Sequence, residues 1–486
     1  MDLKSDQAIL VQVRLPGSLA DHEDPLAELR ALAESAGVRV IGELIQNRDT
    51  PRGKTYLGKG KVEELASMVK EMRASLVIFD NELAPNQIQE LEKELGEAGG
   101  KDAQTKIIDR SELILDIFAH RATTKQAQLQ VEIAQLEYTA PRLRAMWSHL
   151  GQVTGGAPVG VGTRGPGEQQ LETDRRLVQK RLLQLERDLA DVQARKSREV
   201  EERRERHFTA GLVGYTNAGK SSLFNTLTAG GAFANDQLFA TLLTRVEAWD
   251  LGRLAGDDGA QSSAGGGNTA MLSDTVGFIR DLPHHLVASF RSTLEDAIHA
   301  HVLLIVLDVA DRQAPQQLAT VRTVLDEIGA NTQPRILLLN KLDRFREMSR
   351  DEQEGRRSPE EWLRDEPDAI AVSALTGEGL DTLRQRVLGL MIGELRECTL
   401  SVPVAQGRAI DIIERKLVIL DRGWDGDRAT YRVRIGRRQA EALAGAPGLL
   451  IDGGNPGAAI AALFKVEASR PERRVPPHER FVGDAP

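Results

Sequence analysis

Residues 214–221 constrain the fold more than any other segment, because Gly-Tyr-Thr-Asn-Ala-Gly-Lys-Ser matches the phosphate-binding pattern G-x-x-x-x-G-K-[ST]. The apolar run 210–213 before them predicts a buried parallel strand, and the residues after them have helical character. In such a strand–loop–helix unit, two glycines let backbone N–H groups and the helix N-terminus approach a triphosphate. The segment therefore predicts a nucleotide site on an α/β sheet, whereas the alternative is a chance glycine turn.

The polar residues of this loop have separate predicted roles. Lys220 would place a positive charge at the β- and γ-phosphates and contribute to catalysis, and the hydroxyl of Ser221 would bind Mg²⁺. The other residues would present backbone N–H groups to the phosphates. The predicted nucleotide-binding residues of this segment are Gly214, Tyr215, Thr216, Asn217, Ala218, Gly219, Lys220, Ser221 and Ser222.

A second motif, Asp-Thr-Val-Gly at 274–277, follows the predicted strand 270–273. Alone, this motif usually marks a turn. Its Asp274 carboxylate suits the surroundings of a Mg²⁺ ion, and the N–H of Gly277 can bond a γ-phosphate. We therefore include both residues in the predicted nucleotide site and count Gly277 among the catalytic residues.

A third motif, Asn-Lys-Leu-Asp at 340–343, follows the predicted strand 335–339. The Asp343 carboxylate can accept hydrogen bonds from both N1–H and N2–H₂ of guanine, whereas adenine offers neither donor there. A site built in this way rejects the wrong base by about 10⁴–10⁵. The order of the three motifs resembles the G domain of translation-factor-type GTPases. The predicted base contacts are Asn340, Lys341 and Asp343, with the backbone of Ser373, Ala374 and Leu375.

Composition limits the other possibilities. The chain has 486 residues and a net charge of -9, so general attraction to nucleic acid is not favoured and RNA contact requires a local patch. The single cysteine, Cys398, excludes an internal disulfide, fits a reducing cytoplasm and is expected to be an inert thiol. The first residues do not resemble a signal peptide, and no apolar run approaches the ~20 residues that span a bilayer. We expect a soluble, cytoplasmic protein without stable membrane insertion.

Residues 7–120 alternate predicted strands and helices, which indicates an α/β domain. Asp80, Asn81 and Glu82 follow a predicted buried strand, at the place where open α/β sheets bind ligands. Together with the basic turn Gly-Lys-Gly-Lys at 58–61, they could form a second anion or nucleotide site. The alternative, which we favour, is a helix-start loop at 58–61 and a solvated turn at 80–81.

Residues 126–144 and 169–206 are two predicted helices with narrow apolar stripes, which indicates an antiparallel hairpin. The tip between them, residues 151–167, is rich in glycine, and residues 139–167 contain no aspartate or glutamate. Small side chains without negative charge would let such a tip contact RNA, while the alternative is a flexible connector. The candidate RNA contacts are Arg142, Arg144, Gly155, Gly156 and Arg164.

Residues 108–122, 129–136 and 165–176 resemble the HflX family, as do the G-domain motifs, and the block at 165–176 is highly specific. The resemblance covers roughly residues 8–465. It implies a GTPase that binds GTP and GDP with Mg²⁺ and associates with the large ribosomal subunit and its RNA. It further implies that the protein splits or rescues stalled ribosomes under stress, with the N-terminal domain and hairpin loop reaching the peptidyl-transferase region.

Three positions bear on how such a GTPase would work. Thr241 is assigned as the switch I threonine, a catalytic residue and Mg²⁺ ligand, although a departure from the family pattern at Leu243 leaves Thr244 as a rival. Phe278 occupies the position of the water-orienting Gln of Ras-like enzymes and cannot orient water. This predicts slow hydrolysis that needs an activator, which by resemblance is the ribosome. Asn217 is either a K⁺ ligand or a turn residue with positive φ.

The predicted fold is an α/β multidomain protein, which we expect to act as a monomer. Its parts are an N-terminal α/β domain (1–121), an antiparallel helical hairpin with a Gly-rich tip (122–206), a P-loop GTPase domain (207–395), a small α+β C-terminal domain (396–468) and a disordered tail (469–486). Two other functions stay open. One is a nucleotide-switched RNA- or ribosome-binding module with incidental hydrolysis, and the other is an RNA-remodelling ATPase acting through the N-terminal domain.

Overall fold

The computed structural model describes residues 6–16, 24–51, 53–99, 105–153, 166–228, 244–252, 268–275, 277–280 and 295–465. Of residues 97–99, 141–153 and 166–175 it describes only the backbone. The described residues form two compact units, the first within residues 1–250 and 269–383 and the second within residues 251–268 and 384–486. Several predictions concern parts of the chain outside the described residues: Thr241, Gly155, Gly156, Arg164, the tail 469–486 and the side chains of Arg142 and Arg144.

The first unit begins with a parallel four-stranded sheet of order β2-β1-β3-β4. Its strands are β1 (Gln7–Arg14), β2 (Arg39–Asn47), β3 (Leu76–Phe79) and β4 (Lys106–Asp109). The intervening and following helices are α1 (Ala27–Ser35), α2 (Lys59–Met72), α3 (Pro85–Gly99) and α4 (Arg110–Arg121). β3 is buried along its whole length, as expected of a parallel strand that is covered on both faces. The predicted α/β alternation is confirmed.

Two long helices follow, α5 (Lys125–Val153) and α6 (Pro166–Arg206). Their described parts pack along a narrow apolar seam of Leu129, Ile133 and Leu185, as the predicted stripes require. Both helices reach further toward the tip than predicted, so residues 151–153 and 166–167 are helical and do not belong to a loop. Pro166 can begin a helix because its missing N–H would have no partner there.

A six-stranded sheet of order β10-β9-β8-β5-β7-β6 completes the first unit. Its strands are β5 (Phe208–Gly214), β6 (Arg245–Gly252), β7 (Asn268–Asp274), β8 (Val302–Asp308), β9 (Arg335–Asn340) and β10 (Ile370–Ala371). The helices are α7 (Lys220–Thr228), α8 (Glu295–Ile298), α9 (Ala314–Glu327), α10 (Leu342–Glu347), α11 (Arg350–Gln353) and α12 (Pro359–Asp365), followed by α13 (Leu380–Ile392), whose residues from 384 onward belong to the second unit. β5 is central and parallel to both of its neighbours, so the loop after it opens at the carboxyl edge of the sheet.

One buried apolar cluster is shared by the two sheets of the first unit. It includes Leu32 of α1, with Ile114 and Phe118 of α4, and it also includes Tyr215 and Phe278 beside the six-stranded sheet. We call the four-stranded sheet with its helices α1–α4 the N-terminal α/β layer. Because the cluster is continuous, the residues that follow β5 and β7 pack directly against this layer.

The second unit contains an antiparallel sheet of order β12-β13-β11-β14. Its strands are β11 (Arg396–Pro403), β12 (Val418–Asp425), β13 (Arg428–Ile435) and β14 (Leu450–Ile451), and its helices are α14 (Gly407–Lys416), α15 (Arg437–Leu443) and α16 (Pro456–Leu463). The sequence did not predict β12, β14 or α16. β12 is an edge strand whose last five residues are exposed, so it lacks the alternation of apolar residues that identifies a strand.

Within the part of the chain that the structure describes, no helix combines the length and apolar character needed to cross a membrane.

The buried position of Cys398 predicts its reactivity. The thiol is 5% exposed in β11, and burial, with a contribution from Asp452, raises its pKa to about 12. At pH 8 the reactive thiolate is thus on the order of 10⁻⁴ of the native protein. We expect alkylation by iodoacetamide at pH 8 to be at least about 100-fold slower in native protein than in urea, as measured by mass spectrometry. A Glu397→Cys, Cys398→Ala variant with an exposed thiol is the control, and equally fast alkylation of Cys398 would contradict the burial.

Candidate nucleotide-binding site

The loop that joins β5 to α7 has the backbone shape that phosphate binding needs. Lys220 and Ser221 open α7, so their N–H groups lie at the helix N-terminus. A Cβ on Gly214 would lie 2.3 Å from the carbonyl oxygen of Val306 in β8, and Gly219 has φ of 92°. Only glycine meets both requirements without displacing backbone.

Asn340 connects this loop to the predicted base-binding segments. Its Nδ2 donates to the carbonyl of Ala218 at 2.9 Å, and its Oδ1 accepts from the N–H of Ala374 at 3.2 Å. A Cβ on Gly219 would lie 2.3 Å from that same Nδ2. Lys341 contributes a second link, since its Nζ donates to the carbonyl of Asn217 at 2.7 Å. The structure therefore brings the first and third motifs together around one amide side chain.

The predicted guanine-binding residues lie at the carboxyl ends of β9 and β10. Asp343 Oδ1 accepts from the hydroxyl of Ser373 at 2.6 Å, and Ser373 is fully buried. Ser373 therefore fixes the carboxylate that we predict for the guanine N1–H and N2–H₂ groups. The side chain of Leu375 is 83% exposed, which agrees with a role limited to its backbone.

Ser221 and Asp274 place two hard oxygen atoms next to each other. The hydroxyl of Ser221 donates to Asp274 Oδ2 at 2.8 Å, and Asp274 is fully buried. A hydroxyl beside a carboxylate fits Mg²⁺, which binds through few protein ligands and takes the rest from phosphate and water. Among the described residues there is no group of three or more His, Cys, Asp or Glu side chains that could hold a metal.

The buried amine of Lys220 is suited to bind an anionic ligand. Burial lowers its pKa to about 8, an effect that Asp274 partly offsets and Lys341 adds to. Its Nζ donates to the carbonyl of Tyr215 at 2.7 Å. A phosphate at this position would favour the charged form of the amine and stabilise both groups.

Asn217 has φ of 61°, the left-handed conformation that the turn interpretation predicts. Asparagine is among the few residues that adopt this conformation readily. Its role as a K⁺ ligand stays a prediction.

The segment 277–280 lies directly on the phosphate-binding loop. The N–H of Thr216 donates to the carbonyl of Phe278 at 2.7 Å, and the N–H of Phe278 donates to the carbonyl of Gly214 at 3.0 Å. The ring of Phe278 is 5% exposed in the shared apolar cluster. Phe278 is therefore a packing residue, and its side chain cannot orient a water molecule.

Two of the three polar residues after β3, Asp80 and Asn81, bind within the fold, which argues against a second nucleotide site there. Asn81 Oδ1 accepts from the N–H of Val13 at 2.7 Å, and Asn81 Nδ2 donates to the carbonyl of Val13 at 3.0 Å. Asp80 pairs with Arg110 at 2.7 Å, and its side chain is 7% exposed. The solvated-turn interpretation of residues 80–81 is therefore also wrong, because both side chains are used within the fold.

The basic turn at 58–61 is the start of a helix, as favoured from the sequence. Gly58 is the residue before α2, and its N–H donates to Gln46 Oε1 at 2.8 Å. Lys61 pairs with Glu64 at 2.8 Å within the helix.

Sequence reasoning missed one set of residues at the site. Tyr215 contributes its hydroxyl and not only its backbone, and it contacts Glu28 and Arg280. The only local signal for these contacts was Arg280, which follows the second motif. Glu28 lies far from both Tyr215 and Arg280 in the chain, so no sequence pattern connects the three residues.

Four family models match consecutive parts of the chain: GTP-binding GTPase N-terminal over residues 23–119, GTP-binding GTPase Middle Region over residues 121–204, 50S ribosome-binding GTPase over residues 209–341 and HflX C-terminal domain over residues 361–449. The chain is 39% identical over 411 residues to GTPase HflX of Escherichia coli strain K12, which covers 83% of this chain and 87% of that protein. It is 36% identical over 427 residues to GTPase HflX of Alkalihalophilus pseudofirmus, covering 88% and 92%. It is also similar to the solved structure of a GTP-binding protein from the hyperthermophilic archaeon Sulfolobus solfataricus in complex with GDP, at 24% identity and a TM-score of 0.40, covering 79% of this chain and 98% of that one.

The crowding around Gly277 makes a prediction about hydrolysis. A Cβ at this position would lie 2.8 Å from Lys220 Nζ and 2.9 Å from the Cα of Thr216. We expect Gly277→Ala to displace the segment, misplace the N–H predicted for the γ-phosphate, and lower the GTP turnover number at least about tenfold. GDP affinity should change less than about twofold, because GDP lacks that phosphate.

The measurements for Gly277→Ala are phosphate release and fluorescence titration with a labelled GDP. Gly389→Ala in α13 is the matched control, since nothing lies within 4 Å of a Cβ there. Unchanged turnover in Gly277→Ala would remove Gly277 from the proposed catalytic residues.

Proposed function

The chain belongs to the HflX family of GTPases and is a GTP hydrolase, and we propose that it acts on the large ribosomal subunit. In this proposal it splits or rescues stalled ribosomes under stress, and the ribosome stimulates its hydrolysis of GTP. The match of residues 209–341 to a 50S ribosome-binding GTPase model supports the partner. A cytoplasmic location follows from that partner.

The burial of Phe278 against the P-loop is the main support for the proposal that GTP hydrolysis needs an activator. At the position where other GTPases orient water, this chain has a ring that is 5% exposed and packed in the core. In this proposal the free protein hydrolyses GTP slowly, and the ribosome supplies or positions the missing group.

The proposed catalysis uses charge and positioning. Lys220 and the loop N–H groups would stabilise the phosphates, and the N–H of Gly277 would contact the γ-phosphate. Ser221, assisted by Asp274, would hold Mg²⁺, which when bound neutralises charge on the phosphates; we propose Thr241 as a further ligand. Support for the Mg²⁺ site comes from the 2.8 Å contact between Ser221 and Asp274.

The hairpin supports contact with RNA in this proposal. α5 and α6 extend from a packed seam toward a tip whose sequence contains no acidic residue from 139 to 167. We propose that Arg142, Arg144, Gly155, Gly156 and Arg164 contact ribosomal RNA there.

The dependence on the ribosome can be measured directly. We expect purified large subunits to raise GTP turnover at least about tenfold, because an activating group can contribute 10³–10⁵. Small subunits at the same concentration are the control, and Lys220→Ala should abolish turnover with either. Repeating the assay in potassium and in sodium buffer tests Asn217 as a K⁺ ligand. Turnover that ignores large subunits would contradict the proposed partner.

Base specificity gives a second test. Asp343→Asn should weaken GTP binding by about 10²–10³, because two hydrogen bonds to a charged acceptor are lost. The amide can instead donate to the C2 carbonyl of xanthine, so the variant should gain use of xanthosine triphosphate. Turnover with both nucleotides is the measurement, and Asp351→Asn, at an exposed aspartate of α11, is the matched control. An unchanged preference for GTP would overturn the guanine assignment of Asp343.

A further inference from the structure

A buried cluster of four charged side chains and one phenol joins the first sheet to the nucleotide site. Two carboxylates and two guanidinium groups balance each other's charge. The side chains of Arg110, Asp80 and Arg280 are only 3%, 7% and 8% exposed. The members are Glu28 of α1, Asp80 after β3, Arg110 at the start of α4, Tyr215 of the P-loop and Arg280, three residues after Gly277. We call this set the ionic cluster.

Each carboxylate of the ionic cluster contacts both guanidinium groups. Glu28 Oε1 lies 3.0 Å from Arg110 Nη2, and Glu28 Oε2 lies 3.5 Å from Arg280 Nε. Asp80 Oδ1 lies 2.7 Å from Arg110 Nη1, and Asp80 Oδ2 lies 3.1 Å from Arg280 Nη2. Because three of these residues belong to the N-terminal α/β layer, the pairs tie the segment after Gly277 to that layer.

The hydroxyl of Tyr215 extends the ionic cluster into the P-loop. It donates to Glu28 Oε1 at 2.6 Å and accepts from the N–H of Arg280 at 2.7 Å. Burial, followed by the nearby charge of Glu28, raises the pKa of Tyr215 well above its ordinary value, so the phenol stays protonated and keeps donating. Arg110 Nη2 adds a bond to the carbonyl of Arg280 at 3.2 Å. The cluster thus holds both the backbone and the side chain of Arg280.

The held segment contacts the groups that are predicted to bind a γ-phosphate. The N–H of Thr216 is bonded to Phe278, and a Cβ on Gly277 would lie 2.8 Å from Lys220 Nζ. Lys220 is predicted to bind the γ-phosphate, so that phosphate would arrive beside Gly277 and the segment that follows it. GDP places no phosphate there, because its phosphates end before that point.

We propose that the ionic cluster is a latch that holds residues 277–280 against the P-loop until a γ-phosphate releases them from Glu28 and Asp80. GTP binding has to break the latch and GDP binding does not. The N-terminal α/β layer therefore senses which nucleotide is bound. By thermodynamic linkage, a change that loosens the latch from the N-terminal side strengthens GTP binding.

Two variants of the full-length chain test the latch. Tyr215→Phe removes one hydroxyl and keeps the P-loop backbone, and Glu28→Gln neutralises one carboxylate. We expect each to raise the affinity for a non-hydrolysable GTP analogue, relative to the affinity for GDP, about fivefold. The double variant should gain much less than the product of the two gains, because both changes remove the same contact. Isothermal titration calorimetry gives all of these affinities.

The control is Glu366→Gln, which neutralises the carboxylate of an ion pair with Arg322 at 2.7 Å in the same unit. It should leave the affinity for both nucleotides unchanged. Unchanged affinities in Tyr215→Phe and Glu28→Gln would overturn the latch. A parallel loss of GTP and GDP affinity would overturn it as well, because that result indicates a purely structural cluster.

Tyr215→Phe decides the question alone if Glu28→Gln does not fold, as judged by its melting curve. Hydrogen exchange provides a second readout: the GTP analogue should increase exchange of the amides of α1 in the native chain, and equal exchange with GDP would contradict the proposal. These assays contain no ribosomes. Their failure would therefore leave activation by the large subunit untouched, and failed activation would leave the latch untouched.

Discussion

The hydrogen bonds of Asn340 are the constraint on which the nucleotide site depends. One amide group joins the P-loop at Ala218 to the loop after β10 at Ala374, so it links the segments that we propose for phosphate binding and for base binding. Gly219 has to be glycine partly because Asn340 is so close. The remaining site residues lie on either side of Asn340. On one side Ser373 orients Asp343, and on the other side Lys220 and Ser221 begin α7.

Open α/β sheets usually bind ligands at the carboxyl ends of their strands. In the N-terminal sheet, arginine side chains of the protein itself occupy that place. At the end of β3, Asp80 binds guanidinium groups, one from its own layer and one from Arg280. The position that suggested a second nucleotide site is therefore occupied by the protein itself. This arrangement explains why the side chain of Asp80 is charged and yet only 7% exposed.

Local patterns predicted the parts of this protein whose signal is local. The P-loop, the buried strands β8 and β9 and the stripes of α5 and α6 each depend on residues close together in the sequence, and all are present in the described residues. The edge strand β12 was missed because exposed strands carry no apolar alternation. The contacts of Arg280 were missed for a different reason: its partners Glu28 and Asp80 are roughly 250 and 200 residues away, and no periodicity encodes such pairings. The roles of Asp80 and Asn81 were misread because a polar residue at a strand end looks the same whether it faces solvent or a buried partner.

The hydroxyl of Tyr215 also limits how this protein can be rearranged. A P-loop is commonly treated as a motif that can be transferred between proteins, since its phosphate contacts come from backbone groups. Here a side chain of the motif is bonded to Glu28, so the motif is complete only together with the layer that precedes it. A chimera that joined residues 207–395 to a foreign N-terminal partner would leave the phenol and the guanidinium of Arg280 to find new partners. The GTPase domain and the N-terminal α/β layer therefore depend on each other. Among related proteins we expect Tyr215, Arg280 and their partner Glu28 to be replaced together or not at all.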